Sequence, residues 1–199
     1  MRKLFRPRPG LLVLQLEGNR VALFDLAQPG DGSSPRVTTG AFTYVTSGGG
    51  DVFVGASIDD PNVQRLSGLR LDNIEPSWAT LPDSGSDHKG PDALATDCIS
   101  TYAAREDQSI WRVPNDGGGT FTRWLDAGAR QAVASAADGR YVYFAAYNAG
   151  GVFAFDKTSS DWRHIYNGNV WGVHADLQGV YWGEHEPGPD AGKIYVVRR

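Results

Sequence analysis

Short apolar runs of about five residues alternate with polar, glycine-rich segments along the chain. One pattern recurs: an apolar residue, two variable residues and a second apolar residue. It begins at Val21, Val63, Ile110, Val152 and Ile194, so the starting points are 42, 47, 42 and 42 residues apart. Helical spacing of apolar residues is not sustained beyond about two turns. The repeat therefore predicts strands rather than stacked helix pairs.

A second strand-like run precedes each motif, and each pair predicts a β-hairpin. These upstream runs are residues 11–16, 52–56, 99–103, 142–146 and 180–183. In the last three repeats an aspartate stands just before the run, at Asp97, Asp138 and Asp176. A polar–aromatic strand, such as residues 120–124, follows each hairpin, and a strand of small residues, such as residues 131–135, leads into the next. The sequence thus predicts an all-β protein, a β-propeller of about five four-stranded repeats, whose small inner residues crowd a central channel.

Domain boundaries follow from counting strands, which we label A to D from the propeller axis outward. Residues 1–10 form a basic N-terminal tail in this interpretation, and residues 11–199 form one propeller domain. The first repeat then lacks strand A and the last lacks strand D, which makes eighteen strands. Two interpretations stay open: a five-bladed ring with two incomplete blades, or part of a larger propeller. An open ring exposes a sheet edge, which predicts a homodimer through that edge.

Composition narrows the classes of function. The 25 glycines and 11 prolines punctuate the strands, and a net charge of −4 gives no general attraction to nucleic acid. No apolar run is long enough to insert into a membrane, and no signal peptide is found. The single cysteine, Cys98, excludes an intramolecular disulfide, and its place beside Ile99 predicts a buried small hydrophobe.

Acidic residues concentrate in one set of loops. In a propeller the B–C and D–A loops share one rim and the A–B and C–D loops the other; eleven of the 23 acids fall on the first. This predicts an acidic entrance for a cationic ligand or a divalent cation such as calcium. The alternative is that turns simply favour Asp. The candidate ligand-binding residues are Asp60, Asp87, His88, Glu106, Asp107, Glu184, His185 and Glu186.

Catalytic signatures are weak. The chain has neither the Gly-x-Ser-x-Gly turn of α/β hydrolases nor a His-Glu-x-x-His motif, so no catalytic residue is assigned. The tryptophans at repeat-related strand positions are expected to pack between blades, with one or two available to stack on a sugar ring.

Three segments carry a family resemblance. Residues 110–118 (Ile-Trp-Arg-Val-Pro-Asn-Asp-Gly-Gly), 138–144 and 179–182 resemble the repeats of bacterial exported propeller proteins, which are similar to the YWTD propeller of the LDL-receptor family. Tyr181-Trp182 is followed by Gly183-Glu184 rather than Thr-Asp, so the strict signature is not present. The resemblance implies a propeller fold and a cell-envelope setting, and it implies no reaction.

Three hypotheses of function follow. The first is a non-enzymatic binding or scaffold domain that holds a protein, peptide or glycan on the rim formed by the B–C and D–A loops. The second is a propeller hydrolase of the lactonase or glycosidase kind, in which Asp60, Asp87, Glu106 and Glu184 converge around a divalent cation. The third is a structural segment of a larger envelope protein.

Overall fold

The fold is known from a computed structural model of the 199-residue chain. It describes residues 3–8, 11–15, 21–25, 36–37, 42–48, 51–57, 65–70, 73–80, 91, 93–105, 107–116, 119–126, 132–146, 150–185 and 192–198. These residues form twenty strands and no helix. None of the described residues belongs to a helix of the length and apolarity needed to cross a membrane.

The strands form five sheets, which we name blades 1 to 5. Blade 1 contains β1 (Lys3–Arg8), β2 (Leu11–Gln15), β3 (Val21–Asp25) and β4 (Arg36–Val37). Blade 2 contains β5 (Phe42–Gly48), β6 (Asp51–Ser57), β7 (Arg65–Arg70) and β8 (Asn73–Thr80). Blade 3 contains β9 (Ala93–Thr96), β10 (Ser100–Ala104), β11 (Ser109–Pro114) and β13 (Thr122–Asp126); β12 (Gly119–Thr120) lies between the last two in sequence. Blade 4 contains β14 (Ala132–Ala137), β15 (Tyr141–Ala146), β16 (Gly151–Asp156) and β17 (Trp162–Tyr166), and blade 5 contains β18 (Val170–Ala175), β19 (Gly179–His185) and β20 (Gly192–Arg198).

Each blade is an antiparallel meander in chain order. The first strands pack in sequence, β1 on β5, β5 on β9, β9 on β14 and β14 on β18, so they are the inner strands A. The short strand β12 leaves blade 3 and pairs in parallel with β8, at the outer edge of blade 2. It thereby ties the two blades together at their periphery.

The start of the chain corrects two expectations. Residues 3–8, expected to belong to a basic tail, form β1, which pairs with β2 from Lys3 opposite Gln15 to Arg8 opposite Leu11. Blade 1 therefore has its strand A, and the count of eighteen strands is wrong. The register of β1 with β2 shifts between Phe5 and Arg8, which accommodates Pro7 within the strand. Blade 5 has three strands in the described part of the chain.

Two apolar clusters lie between neighbouring blades. The first joins blade 3 to blade 4 and is made of Ala93, Ala95, Tyr102, Ala104, Ile110, Ala132, Val142, Phe144, Ala146, Phe153 and Phe155. The second joins blade 4 to blade 5 and is made of Tyr143, Ala145, Val152, Ala154, Val170, Val180 and Trp182. Alternate residues of β15 enter different clusters, as the two-residue period of a strand requires. The blades thus pack through small residues of the inner strands and aromatic residues of the second strands, the two kinds of strand that the sequence predicted.

Cys98 is exposed, which corrects the expectation of a buried residue. Residues 97–99 form the A–B turn of blade 3, and β10 begins only at Ser100. Ile99 is exposed as well. The apolar pair was interpreted as the start of a strand, whereas the hydrogen bonds of Asp97 hold it in the turn.

Candidate functional site

The predicted acidic rim lies at the ends of the B and C strands. Asp107 and Glu184 are described with their side chains, and His185 with its backbone only. Asp60, Asp87, His88, Glu106 and Glu186 lie outside the described residues. Whether the predicted rim residues converge on one site therefore stays a prediction.

Glu184 is held by two tyrosines. The Tyr195 hydroxyl donates to Glu184 Oε2 at 2.9 Å. The hydrogen bonds from Tyr166 and Tyr195, with help from Lys193 and the Asn169 backbone, outweigh partial burial and lower the pKa of Glu184. Reciprocally, its hydrogen bonds with Tyr195 and Glu184 raise the pKa of Tyr166. The two tyrosines thus hold this carboxylate in place and favour its ionised form.

Aromatic rings surround this carboxylate. The rings of Tyr166 and Tyr195 are 4.8 Å apart, and the Trp182 ring is 5.3 Å from Tyr166 and stacks on Tyr195 at 5.9 Å. We call Tyr166, Trp182, Glu184 and Tyr195 the Glu184 cluster. Two buried polar atoms beside it, Asn169 Oδ1 and Trp182 Nε1, have no hydrogen-bond partner among the described residues. Both atoms are buried beneath the surface.

Asp107 closes its own loop. Its Oδ1 accepts from the Ser109 N–H at 3.0 Å and from the Ser109 hydroxyl, which in turn accepts from Trp111 Nε1 at 2.6 Å. Partial burial raises the pKa of Asp107, but the two bonds from Ser109 and the charges of Arg105 and Arg123 outweigh it, so the pKa is lowered. The guanidinium of the buried Arg105 lies 5.5 Å from the Trp111 ring. This aspartate stabilises the B–C loop of blade 3.

The described residues hold no group of three His, Cys, Asp or Glu side chains able to bind a metal ion. Asp107 accepts hydrogen bonds from Ser109 of blade 3, and Glu184 accepts them from tyrosines of blades 4 and 5. The expected calcium site therefore stays a prediction for the loops outside the described residues.

A cavity of about 610 Å³ lies on the opposite rim, at the A–B and C–D loops of blade 4. Its lining is Arg140, Tyr141, Ala154, Asp156, Thr158, Ser159, Asp161, Trp162 and Arg163. Sequence reasoning did not single out this rim, because its acids are fewer and its arginines lie at strand ends. The tandem Trp162-Arg163 on a polar outer strand was the available signal.

Two guanidinium groups flank one aromatic ring in this cavity. The Cζ atoms of Arg140 and Arg163 lie 5.0 and 5.4 Å from the centre of the Tyr141 ring. Arg140 Nε also donates to Asp156 Oδ2 at 2.9 Å, which together with backbone N–H bonds lowers the pKa of Asp156. Arg163 is exposed and has no carboxylate partner among the described residues. It is therefore available to an acidic ligand.

Trp162 also lines this cavity, but its ring lies on the other face of β17 from Arg163, against Phe155. It is 47% exposed, while its ring packs 5.8 Å from Phe153. By contrast, Trp182 is almost fully buried. The expectation that most tryptophans pack between blades holds for Trp182, and Trp162 has a face open to a ligand.

Comparisons with known proteins support the fold. No family model and no curated protein matches the chain. Solved structures do: BamB from Moraxella catarrhalis matches 91% of this chain with a TM-score of 0.57 at 11% identity. A chain in the crystal structure of a nidogen/laminin complex matches 83% of it with a TM-score of 0.57 at 14% identity.

The predicted fold class is confirmed: the chain has the radial blades of a β-propeller. It spans 53% of the matched BamB chain and 64% of the matched chain in the nidogen/laminin complex. At these identities the likeness concerns the fold alone.

Proposed function

We propose that this protein is a non-enzymatic, protein-binding propeller scaffold, and that it holds a peptide segment of its partner in the cavity of blade 4. The observation that carries the proposal is the arrangement of Arg140, Tyr141, Trp162 and Arg163 around that cavity. Arginine, tyrosine and tryptophan are the residues that most often dominate binding energy at protein interfaces. The likeness to a chain of the nidogen/laminin complex, a protein solved bound to another protein, supports a protein as the partner.

The cavity predicts the chemistry of the peptide. The Arg163 guanidinium can donate two hydrogen bonds to a carboxylate of the peptide, because no acidic side chain among the described residues pairs with it. The exposed part of Trp162, which lines the same cavity from the other face of β17, would bind an apolar side chain of the same segment. The preferred segment therefore combines an acidic residue with a large apolar residue a few positions away.

A random dodecapeptide display library tests this proposal. Peptides that the immobilised protein enriches are synthesised, and their affinity is measured by calorimetry. Arg163→Ala and Trp162→Ala should each weaken binding at least tenfold. Arg123→Ala is the matched control. Arg123 lies on β13, the outer strand of blade 3 that corresponds to β17 of blade 4, and it pairs with Asp126 away from the cavity. Equal loss in the control, or enrichment without acidic residues, would overturn the peptide proposal.

The rim formed by the B–C and D–A loops is a second candidate surface for the ligand. The carboxylate of Glu184, whose ionised form the neighbouring tyrosines favour, would accept hydrogen bonds from a cationic or amide-bearing group. If this surface binds the enriched peptides, Glu184→Gln should weaken peptide binding and Arg163→Ala should not.

A glycan array tests for a sugar ligand. Binding of a neutral sugar that depends on Trp162 and not on Arg163 would favour a glycan over a peptide.

The enzymatic alternative and its divalent cation are tested separately. Asp60, Asp87 and Glu106 lie outside the described residues, and Glu184 is engaged by tyrosines. A panel of lactone and aryl-glycoside substrates, each assayed with and without calcium, should show no turnover if the scaffold proposal holds. A rise in melting temperature at millimolar calcium supports a metal-bound rim; no rise removes the metal from the proposal.

A cell-envelope setting and closer kinship with YWTD-type propellers are also proposals. They rest on the repeat resemblance of residues 110–118, 138–144 and 179–182. Fractionation of cells that produce the protein from its native gene tests the first. A homodimer is a further proposed assembly.

A further inference from the structure

The outward face of blade 5 repeats a surface that is covered in the preceding blades. In blade 3, Ala104 pairs with Ile110, and in blade 4, Ala145 pairs with Val152. Ile110 and Val152 are both 0% exposed, because the next blade packs over them. The same position in blade 5 pairs Gly183 with Ile194, and Ile194 is 83% exposed.

A second row of residues on the same face shows the same difference in exposure between the blades. Tyr102 in blade 3 and Tyr143 in blade 4 are 3% and 4% exposed, each under the following blade. Their counterpart in blade 5 is the less buried Tyr181, which pairs with Val196, 46% exposed. Blade 5 therefore carries the full pattern of a blade-to-blade contact with nothing described on top of it.

The opposite side of each blade carries the complementary pattern. In blade 4 the pairs Val142 with Phe155 and Phe144 with Phe153 face blade 3. In blade 5 the pairs Val180 with Val197 and Trp182 with Tyr195 hold the same positions. Val180, Trp182 and Tyr195 pack on blade 4, whereas Val197 is 51% exposed.

Blade 1 has this complementary pattern too. Leu12 pairs with Phe24 and Leu14 with Ala22, in the same register as the pairs of blade 4. Leu12, Leu14 and Phe24 are only half-buried, and the small Ala22 between them is 1% exposed. By the repeat, this side of blade 1 faces away from blade 2. The chain thus contains both halves of one more blade-to-blade interface.

We propose that these two halves join in trans: the outward face of blade 5, with Tyr181, Ile194 and Val196, packs on the first blade of a second copy of this chain. Among the described strands, extensive packing runs from β1 through β5, β9 and β14 to β18, and β18 does not pack extensively on β1. The proposed contact continues an interface that the molecule already builds between blades 3, 4 and 5. It is a head-to-tail contact, which forms a closed two-chain ring or a longer series.

This proposal goes beyond ligand binding and assigns the expected homodimer to a sheet face instead of the edge of β20. Its test is sedimentation velocity over a wide concentration range. The wild-type chain should self-associate, and Ile194→Asp should weaken association at least tenfold while circular dichroism shows an unchanged fold, because Ile194 makes few contacts within its own chain. Leu177→Asp is the matched control: Leu177 is 95% exposed in the A–B turn of the same blade, off this face. A wild-type chain that stays monomeric, or equal effects of the two variants, would overturn the proposal.

Cross-linking distinguishes the head-to-tail contact from other arrangements. In a Cys98→Ser background, which removes the exposed thiol, Ile194→Cys and Leu14→Cys proteins are mixed and treated with a short bismaleimide. Cross-linked dimers should form in the mixture and not in either protein alone. Self-linking of the Ile194→Cys protein would indicate a face-to-face dimer. Monomeric cross-linking of a chain with both cysteines would indicate closure within one copy, and either result contradicts the proposal.

Discussion

Three aspartates give the repeat its clearest single-residue signature. In the A–B turns of blades 3, 4 and 5, Oδ1 of Asp97, Asp138 or Asp176 accepts from the backbone N–H groups two and three residues later. The backbone N–H of each aspartate donates to the carbonyl three residues later. An aspartate is suited to this place because its short side chain satisfies two backbone donors of a tight turn. The recurrence visible in the sequence therefore has a structural cause.

Loss of one such aspartate should weaken the fold measurably. Asp176 Oδ1 accepts from Gln178 N at 2.7 Å and Gly179 N at 3.0 Å, so Asp176→Ala leaves both donors to water. We expect the free energy of unfolding to fall by about 1 kcal/mol, as for the loss of a helix N-cap. Urea denaturation measures it. Asp116→Ala, at an exposed aspartate without such bonds among those described, should change stability by less than about 0.5 kcal/mol; similar losses in both would contradict the turn role.

The role of a single residue could be predicted from the sequence where it follows from the chemistry of the side chain, and not where it depends on distant neighbours. The aspartates before each second strand were visible as a spacing, and their turn role follows from their chemistry. Cys98 was placed wrongly, because an apolar pair looks alike in a turn and in a strand. The engagement of Glu184 by Tyr166 and Tyr195 joins residues of two blades, and no local pattern contains that information.

At the scale of the strand, one glycine is required by the close approach of its neighbour. Gly151 begins β16 with φ of +75°, and a Cβ there would lie 1.8 Å from the Tyr166 carbonyl oxygen. The outer strand β17 packs too closely at this point for any side chain. The position therefore needs glycine both for its backbone conformation and for its space.

Gly151→Ala should destabilise the protein by about 2 kcal/mol or more, because strain at positive φ and overlap with backbone add to each other. Gly139→Ala is the control, since a Cβ at Gly139 meets nothing within 4 Å. Its effect should stay within about 0.5 kcal/mol. Thermal and urea unfolding of both variants check the prediction, and a neutral Gly151→Ala would show that β17 can move away.

Lys157 links two neighbouring blades. From the C–D loop of blade 4, its Nζ pairs with Asp97 in the A–B turn of blade 3 and donates to the carbonyl of Asp138. Both side chains of the ion pair are largely buried. The Nζ atom also lies 5.5 Å from the Tyr102 ring. This single lysine thus connects the turns of two repeats.

Lys157→Met should lower the free energy of unfolding by about 2 kcal/mol. Removal of one partner from a fully buried pair costs about 3–5 kcal/mol, and here Asp97 keeps two backbone N–H bonds. A double-mutant cycle with Asp97→Asn isolates the pair, because the asparagine retains the Oδ1 acceptor. Additive effects of the two substitutions would exclude a direct coupling.

Strand patterns were predicted well where both faces of a strand are apolar. The hairpins of β10 with β11, β15 with β16 and β19 with β20 lie where the repeat places them. β1 was missed because its basic residues and Pro7 suggested a tail. β12 was missed because a two-residue strand has no period, and its pairing with β8 depends on how blades 2 and 3 are arranged.

For the whole molecule, the regular period predicted radial blades and gave no account of the cavity. The period of 42 residues places equivalent residues at equivalent points of each blade, so the blade-to-blade clusters follow from it. The cavity depends on Arg140, Trp162 and Arg163, which the other repeats do not share. Features that differ between repeats carry function in a repeat protein, and periodicity alone cannot locate them.

The blade-to-blade clusters make the whole fold sensitive to alkaline pH. Burial, with the Asp97 charge, raises the pKa of Tyr102 to about 12, and burial together with Tyr141 raises the pKa of Tyr143 to about 12. The ordinary value is 10.0, so the native state favours the neutral phenols. Their contribution to stability is complete below about pH 10 and is lost as the pH rises through about 12.

Tyrosinate absorbance should therefore show late-titrating tyrosines in the native protein, Tyr102 and Tyr143 together with Tyr166, and the first two should be missing from a Tyr102→Phe/Tyr143→Phe variant. Unfolding free energies measured by urea denaturation should fall between pH 10 and 12 more steeply in the wild type than in a Tyr102→Phe/Tyr143→Phe variant. The difference between the two proteins isolates the phenols, because lysines titrate in both. Parallel pH profiles, or native tyrosines that all titrate near 10 while circular dichroism is retained, would mean that the two interfaces between blades 3, 4 and 5 admit water and charge, contrary to the packing of Tyr102 and Tyr143 described above.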